Sequence, residues 1–241
     1  MFKTPEDTRA YVDAFRIMAA ELVAQADIAL AAPFVDLDAL RVALEGSTIG
    51  IGAQDCFWEA EGAFTGEVSA PMLSALGVQY CIVGHSERRE FFGETDETVS
   101  LKISALLGGN ITPIVCVGET HAEHHAGTSF ARVEQQLHGA LGSLSDAERA
   151  AVVVAYEPVW AIGTGLACDA ESADTIMNFI RRSAGGLDEA RIIYGGSMKP
   201  ANATALCAQP NIDGGLVGSA SLDPAEFLSL ISCGLQVLDA R

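Results

Sequence analysis

Residues 152–165 have the sequence VVVAYEPVWAIGTG, in which five apolar residues lead directly to Glu157. A run that is apolar at every position is typical of a strand buried on both faces, as in a parallel sheet. Similar runs recur in CIVG (81–84), PIVCVG (113–118) and RIIYGG (191–196). Amphipathic or helix-prone segments separate these runs, so the sequence predicts an α/β fold built on a parallel sheet.

The pattern predicts seven strands that alternate with helices. The strands are expected near Asp27–Ala32, Thr48–Ala53, Tyr80–Val83, Thr112–Val117, Val152–Tyr156, Arg191–Tyr194 and Gly214–Val217. An opening helix with Thr4 as its N-cap is expected before the first of these strands. Further helices are expected near Leu37–Leu44, Thr95–Leu107, Ser129–Leu141, Ala170–Ser183, Ala201–Ala208 and Pro224–Leu235. No linker or shift in composition divides residues 1–241, which we interpret as a single domain.

Two architectures fit this alternation: an open doubly wound sheet and a (β/α) barrel. Periodicity alone does not distinguish them. Polar and glycine residues cluster just after several strands, in the segments GHSE, EPVW, GGS and VGSAS. The loops of a barrel's active face lie in this position all around a ring, whereas an open sheet collects its ligand residues at one switch point.

The composition excludes several classes of partner. The 241 residues carry a net charge of -18, which argues against binding to nucleic acid or to an anionic membrane surface. The sequence has no apolar run of membrane-spanning length, and its beginning lacks the apolar core of a signal peptide. The six cysteines follow no metal-binding spacing, and Cys81 and Cys116 lie in strand-like runs. We therefore expect a cytoplasmic protein with reduced thiols.

Two strand ends carry candidate catalytic side chains. His85 follows the run CIVG and precedes a helix, whose N-terminus favours the neutral imidazole, a hydrogen-bond donor to a carbonyl group. Glu157 ends the run VVVAY, where a carboxylate is costly to bury without a task. The simpler alternatives are a histidine that caps local backbone and a structural glutamate in an ion pair. Pro158 and the glycines Gly163 and Gly165 bound an apolar segment that is typical of a mobile lid.

Two glycine-rich segments, RIIYGGSMKPAN (191–202) and GGLVGSASLDP (214–224), follow one another along the chain. Each leads from a strand into small residues, whose backbone N–H groups can hold a phosphate. On the last two strands of a barrel, such loops match the usual phosphate site.

The chain resembles the triosephosphate isomerase family along almost its whole length. The matching segments are AQD (53–55), FTGE (64–67), VGHSERR (83–89), CVGE (116–119), AYEPVWAIGTG (155–165), IYGGS (193–197) and LVGSASL (216–222). The resemblance implies a (β/α)8 TIM barrel and an enzyme of glycolysis and gluconeogenesis. Its reaction interconverts dihydroxyacetone phosphate and glyceraldehyde 3-phosphate without cofactor or metal.

The resemblance also implies residue roles. Glu157 is the base that moves a proton between two substrate carbons, and His85 is the neutral electrophile that polarises the carbonyl. Ser86 and Glu87 occupy supporting positions, and Pro158–Gly165 is the lid. Substrate phosphate is implied to bind the backbone amides of Gly163, Ser197, Gly218 and Ser219. The segment Phe64–Glu67 resembles the loop that inserts into the partner subunit of family homodimers, with Thr65 at its tip.

The chain departs from the family pattern at several positions. Asp55 stands where asparagine is usual, Ser219 where a second glycine is usual, and Leu166 where lysine is frequent. The segment ETHAEHHAG (119–127) contains three histidines, His121, His124 and His125, which could be interpreted as metal ligands. We prefer the interpretation that they belong to a surface segment, because they replace charged residues of the family pattern.

The family pattern begins with a strand that ends in Asn-x-Lys, and this sequence begins after that lysine. We therefore expect the first barrel strand to be absent from residues 1–241, with seven strands remaining. The favoured function is the isomerase. The alternative is a non-catalytic phosphosugar-binding or scaffold protein that has lost the catalytic lysine, although such a protein would need neither His85 nor Glu157.

We predict that the 241-residue chain has little or no isomerase activity, and that adding a first strand ending in Asn-x-Lys restores it. Loss of one donor to the transition state typically lowers the rate by about 10²–10³. Circular dichroism measured beside activity separates the loss of the lysine from a folding defect. Turnover typical of the family from the 241-residue chain alone would contradict the prediction.

Overall fold

A six-stranded parallel sheet forms the centre of the computed structural model, which describes residues 1–161 and 168–237. The strands pair in chain order, so every neighbour in the sheet is also the neighbour in sequence. They are β1 (Ala29–Ala32), β2 (Gly50–Ala53), β3 (Tyr80–Val83), β4 (Thr112–Val117), β5 (Val153–Tyr156) and β6 (Arg191–Tyr194). This curled, all-parallel arrangement is consistent with a TIM barrel and inconsistent with an open doubly wound order.

Both faces of the sheet are covered, as the continuous apolar runs predict. All four residues of β5 are buried. On one face, Ile82, Ile114, Cys116 and Ala155 belong to a small apolar cluster. Their alternate neighbours along the strands point to the opposite face and join the larger core beneath the helices.

The helices connect successive strands and lie outside the sheet. They are α1 (Pro5–Ala19), α2 (Leu37–Ala43), α3 (Ala70–Ala75), α4 (Ser86–Phe92), α5 (Asp96–Gly108), α6 (His121–His125), α7 (Ser129–Leu141), α8 (Asp146–Ala150), α9 (Ala170–Arg182), α10 (Pro200–Cys207) and α11 (Pro224–Leu235). The pattern did not predict α3, α6 and α8, because five or six residues are too few to repeat an apolar stripe. Among the described residues, no helix has both the length and the apolar character needed to cross a membrane.

The opening helix starts where its capping residues predict. The Thr4 hydroxyl accepts a hydrogen bond from the Asp7 amide, and the Asp7 carboxylate accepts one from the Thr4 amide. Helix α1 buries an apolar face that includes Phe15, which stacks on Phe227 of α11 with ring centroids 5.4 Å apart. These contacts attach the first helix to the last one.

The seventh expected strand, at Gly214–Val217, is reduced in the described residues to a single parallel bridge between Tyr194 and Gly215. Two hydrogen bonds still hold this segment beside β6: Tyr194 N–H donates to the Gly214 carbonyl, and Leu216 N–H donates to the Tyr194 carbonyl. Glycine weakens a strand because it has no side chain to pack. At Gly215 a Cβ would overlap the sulfur of Met198, so a larger residue would require the buried Met198 side chain to move.

Candidate active site

Glu157 lies at the carboxyl end of β5 and is almost completely buried, with 2% of its surface exposed. Its backbone N–H donates to the Val117 carbonyl at 2.7 Å, which fixes it against the end of β4. Two glycines allow the chain to come this close. A Cβ at Gly118 would overlap the Glu157 carbonyl, and a Cβ at Gly195 would lie 2.9 Å from the Cγ of Glu157.

His85 lies at the end of β3 and caps the N-terminus of α4. Its Nδ1 accepts a hydrogen bond from the Glu87 backbone N–H at 3.3 Å, so the proton of the neutral imidazole is on Nε2. This Nε2 lies 3.0 Å from the Oε1 of Glu157 and donates to it. The His85 side chain is 28% exposed, whereas that of Glu157 is 3% exposed. The pair therefore presents its imidazole to the solvent side.

The second carboxylate oxygen of Glu157 accepts a hydrogen bond from the Ser86 backbone N–H at 2.9 Å. Burial raises the pKa of the Glu157 carboxyl, while His85 and the Ser86 amide act in the opposite direction and compensate only in part. A carboxylate in this state is a stronger base than an exposed one. Glu87, the other supporting residue predicted from the sequence, has a side chain that is 72% exposed, with its carboxylate 3.9 Å from His85 Nδ1.

Four charged side chains hold the turn that carries His85. Glu94 accepts hydrogen bonds from the Gly84 N–H at 3.1 Å, from Arg88 Nε at 3.0 Å and from Lys102 Nζ at 3.1 Å. Asp55 pairs with the same two cations, at 2.6 Å from Lys102 and 2.7 Å from Arg88. Burial raises the pKa of Asp55, although the hydrogen bond from Lys102 opposes that effect.

Sequence reasoning missed this cluster of Asp55, Arg88, Glu94 and Lys102, apart from noting the unusual aspartate. One signal was present. Lys102 occupies the buried face of α5 together with Val99, Ile103 and Leu106. A lysine on an apolar helical face indicates a buried anionic partner, because an unpaired buried ammonium is very costly.

A second buried glutamate, Glu119, was also missed. It lies two residues after the end of β4, whereas Glu157 directly follows β5, and it is 1% exposed. Its Oε1 accepts hydrogen bonds from the Trp160 indole N–H at 2.7 Å and from the Tyr156 hydroxyl at 3.1 Å. The Glu119 carbonyl accepts from the Val159 N–H at 3.2 Å. Glu119 therefore holds the turn that follows Glu157, a short 3-10 helix at Val159–Ala161.

The residues expected to bind phosphate lie on the loops after β6 and after the Gly215 bridge. Ser197 is half-buried, and Gly218 and Ser219 are exposed at the start of a 3-10 turn. Within the described residues, their three backbone N–H groups donate no hydrogen bond. At Gly196 the loop after β6 passes close to Pro158, the residue that follows Glu157. A Cβ at position 196 would lie 2.9 Å from Pro158 Cγ. Gly163 and the lid beyond Ala161 fall on residues 162–167, outside the described residues.

The three lysines of the chain lie away from the pair formed by His85 and Glu157. Lys3 donates to the Leu222 carbonyl at 3.0 Å, Lys102 belongs to the buried cluster, and Lys199 caps α10. As for the histidines of residues 119–127, the described part of the chain contains no group of three or more His, Cys, Asp or Glu side chains placed to hold a metal ion.

The raised pKa of Glu157 predicts how stability depends on pH. Because the folded-state pKa is above the unfolded value, the wild-type protein loses free energy of unfolding, relative to Glu157→Gln, as pH rises through the interval between them. The change is up to about 1.4 kcal/mol for each pH unit inside that interval.

Urea unfolding of both proteins at pH 4.5 and pH 8 measures this, because the interval begins at the ordinary glutamate pKa of 4.5 and any pH-independent effect of the substitution cancels. The exposed Glu90→Gln is the control and should show a constant difference from wild type. A constant difference for Glu157→Gln as well would contradict the proposed burial effect.

Comparison with known proteins agrees with this geometry. A family model described as triosephosphate isomerase matches residues 1–234. The triosephosphate isomerase of Solibacter usitatus (strain Ellin6076) is 47% identical over 238 residues, which cover 96% of this chain and 95% of that protein. That of Moorella thermoacetica (strain ATCC 39073 / JCM 9320) is 46% identical over 237 residues, covering 96% and 94%. The triosephosphate isomerase of Lactobacillus delbrueckii subsp. bulgaricus is 43% identical over 234 residues, covering 95% and 92%. The chain belongs to the triosephosphate isomerase family.

Proposed function

We propose that Glu157 and His85 carry out the reaction of this isomerase family, the interconversion of dihydroxyacetone phosphate and glyceraldehyde 3-phosphate. The observation that carries the proposal is the 3.0 Å contact between His85 Nε2 and Glu157 Oε1. It combines a buried carboxylate of raised pKa with an imidazole whose proton points toward it. A phosphosugar-binding scaffold would need neither group.

The reaction requires a base on carbon and a donor on oxygen. Glu157 removes a proton from the carbon beside the substrate carbonyl, and His85 Nε2–H donates to the carbonyl oxygen as negative charge develops there. The resulting enediolate becomes product when Glu157 returns the proton to the neighbouring carbon. At the same time the hydroxyl proton passes, by way of His85 Nε2, to the oxygen that was the carbonyl, so carbonyl and hydroxyl exchange places. Since His85 and Glu157 are in contact, the substrate must replace their hydrogen bond with one from His85 to its carbonyl oxygen and with a contact between Glu157 and the carbon that loses the proton.

The substrate phosphate is proposed to bind the backbone N–H groups of Ser197, Gly218 and Ser219, together with Gly163. Three of these donors are unpaired within the described residues and come from the two loops next to the base. Backbone amides bind phosphate without a cationic side chain, which suits a protein with a net charge of -18. The approach of Gly196 to Pro158 supports a site that holds phosphate and base at a fixed separation.

We predict that Glu157→Gln lowers kcat by more than about 10³ and changes the Kd of inorganic phosphate by less than about threefold. The carboxylate acts on a carbon-bound proton and takes no part in holding phosphate. Steady-state kinetics and calorimetry measure the two effects, in whichever form of the chain, with or without an added Asn-x-Lys strand, shows turnover. Glu90→Gln is the matched control and should retain wild-type kcat. Retention of most of the kcat by Glu157→Gln would show that the base lies elsewhere.

The proposal also includes a homodimer that works in the cytoplasm, with no nucleic-acid or membrane partner. The segment Phe64–Glu67 is exposed and lies at the end of an aromatic group. Phe64 packs on Phe57 with ring centroids 4.6 Å apart, and Phe57 stacks on Trp58 at 4.0 Å. Phe91 and Phe92 of α4 are more than 60% exposed. Exposed aromatic residues of this kind are typical of a protein–protein interface.

We predict that Thr65→Arg weakens self-association, because a long cation must then enter the partner pocket that accepts this loop. Analytical ultracentrifugation at micromolar concentration should show a lower mass for this variant. Thr175→Arg on the exposed surface of α9 is the control and should leave the mass unchanged. A wild-type mass for Thr65→Arg would place the interface on another surface.

A further inference from the structure

His124 of α6 stacks on Trp160, in the turn that follows Glu157. The two rings lie 4.0 Å apart between centroids and are within 17° of parallel. The His124 side chain is 48% exposed, so solvent protons reach it freely. The contact joins a surface helix after β4 to the turn that carries the base on β5.

A buried carboxylate lies at the edge of this stack. His124 Nδ1 is 3.6 Å from Glu119 Oε1, the same oxygen that accepts the Trp160 indole N–H. At this distance a neutral imidazole makes no hydrogen bond, whereas an imidazolium forms an ion pair. Within residues 1–161 and 168–237, no other cationic side chain lies within 4 Å of the Glu119 carboxylate. Its other side-chain partners are the neutral donors of Tyr156 and Trp160.

We infer that His124 is a positioning residue whose protonated form holds the turn 158–161 through Trp160 and Glu119. The imidazolium faces the indole as a cation over a π-system and faces Glu119 as a counter-charge. The neutral imidazole retains only the stacking contact. Because Val159 N–H donates to the Glu119 carbonyl, the same glutamate holds the backbone and the indole of the turn.

Two other titratable groups beside this stack, Tyr156 and Cys168, do not change charge between pH 5 and 8. Burial, with the charge of Glu119, raises the pKa of the Tyr156 hydroxyl. Burial raises the pKa of Cys168 to about 12, with contributions from Asp169 and Glu119. Both groups therefore remain neutral. Histidine is the side chain that ordinarily changes charge in this range.

On its own helix and on α7, His124 has four charged or titratable neighbours. His121 and His125 stack on each other, with ring centroids 6.4 Å apart. Glu123 accepts from the Thr120 amide and lies 3.5 Å from Arg132 of α7. Because His121 and His125 are imidazoles like His124, the experiment must separate their effect from that of His124.

The first test uses Trp160 as its own reporter, in the 241-residue chain without substrate. In a Trp58→Phe background, lowering pH from 8 to 5.5 should quench the Trp160 emission at least about twofold, because a protonated imidazole stacked on indole quenches it. Adding His124→Gln should abolish the response, and the matched control His121→Gln with His125→Gln should keep it. A response that survives His124→Gln, or no response in the parent, would overturn the inference. Should Trp58→Phe not fold, the protection of the Trp160 indole N–H from hydrogen exchange, measured by NMR relative to the intrinsic exchange rate at each pH, should rise at pH 5.5 in the otherwise unaltered chain and not in His124→Gln.

The second test concerns the reaction and rests on the proposed roles of Glu157 and His85. His124→Arg carries its cation at every pH. In the form of the chain that shows turnover, with or without an added Asn-x-Lys strand, His124→Gln should lose about threefold to tenfold in kcat/KM at pH 6 and little at pH 8 relative to wild type, since small displacements of positioned groups have effects of this size or larger. His124→Arg should match wild type at pH 6 and exceed it at pH 8. Parallel pH profiles for all three proteins would refute a positioning role. The substrate-free fluorescence test fails or succeeds independently of the proposed base, so the two failures are distinguishable.

Discussion

The site depends on a hydrogen bond that reaches across a strand. His85 lies just after β3 and Glu157 just after β5, and β4 lies between these two strands in the sheet. Neighbouring strands are separated by about 4.8 Å, so the two chain ends are roughly 10 Å apart and only their side chains can meet. Residue 118, at the end of the intervening strand, is glycine, and any side chain there would overlap the Glu157 backbone. The absence of a side chain at residue 118, just after β4, is therefore a condition for the contact between His85 and Glu157.

Three glutamates are buried at the carboxyl end of this sheet, and their partners distinguish their tasks. Glu94 meets Lys102 and Arg88, so its charge is balanced by cations and it serves the structure. Glu119 meets neutral donors from Tyr156 and Trp160, and it has His124 Nδ1 at 3.6 Å as the proposed counter-charge. Glu157 meets one neutral imidazole and one backbone amide. A buried carboxylate without a cationic partner is poorly stabilised, and a base that must accept a proton from carbon requires this condition.

Local patterns allowed much of this arrangement to be predicted, because strands buried on both faces are apolar at every position. Four of the six strands match the predicted runs to within one residue, and β1 and β2 each cover four of the six residues predicted. His85 and Glu157 could be singled out because each interrupts such a run at its end. The charged cluster around Lys102 and the stack of His124 on Trp160 could not be predicted. Their members are far apart in sequence, and each is meaningful only through its partner.

Asp55 departs from the family pattern, and its extra negative charge is balanced by the two cations beside it, Arg88 and Lys102. With asparagine at this position, as the resemblance implies, the cluster would contain the two cations Arg88 and Lys102 but only one carboxylate. Asp55 makes the charges equal, and leaving a buried charge uncompensated typically costs several kcal/mol. The same loop continues to Phe64, at the proposed subunit contact, while Glu94 holds the Gly84 N–H beside His85. One buried cluster thus supports both the loop that faces the partner and the turn that carries the electrophile, so a substitution that unbalances its charge acts on both.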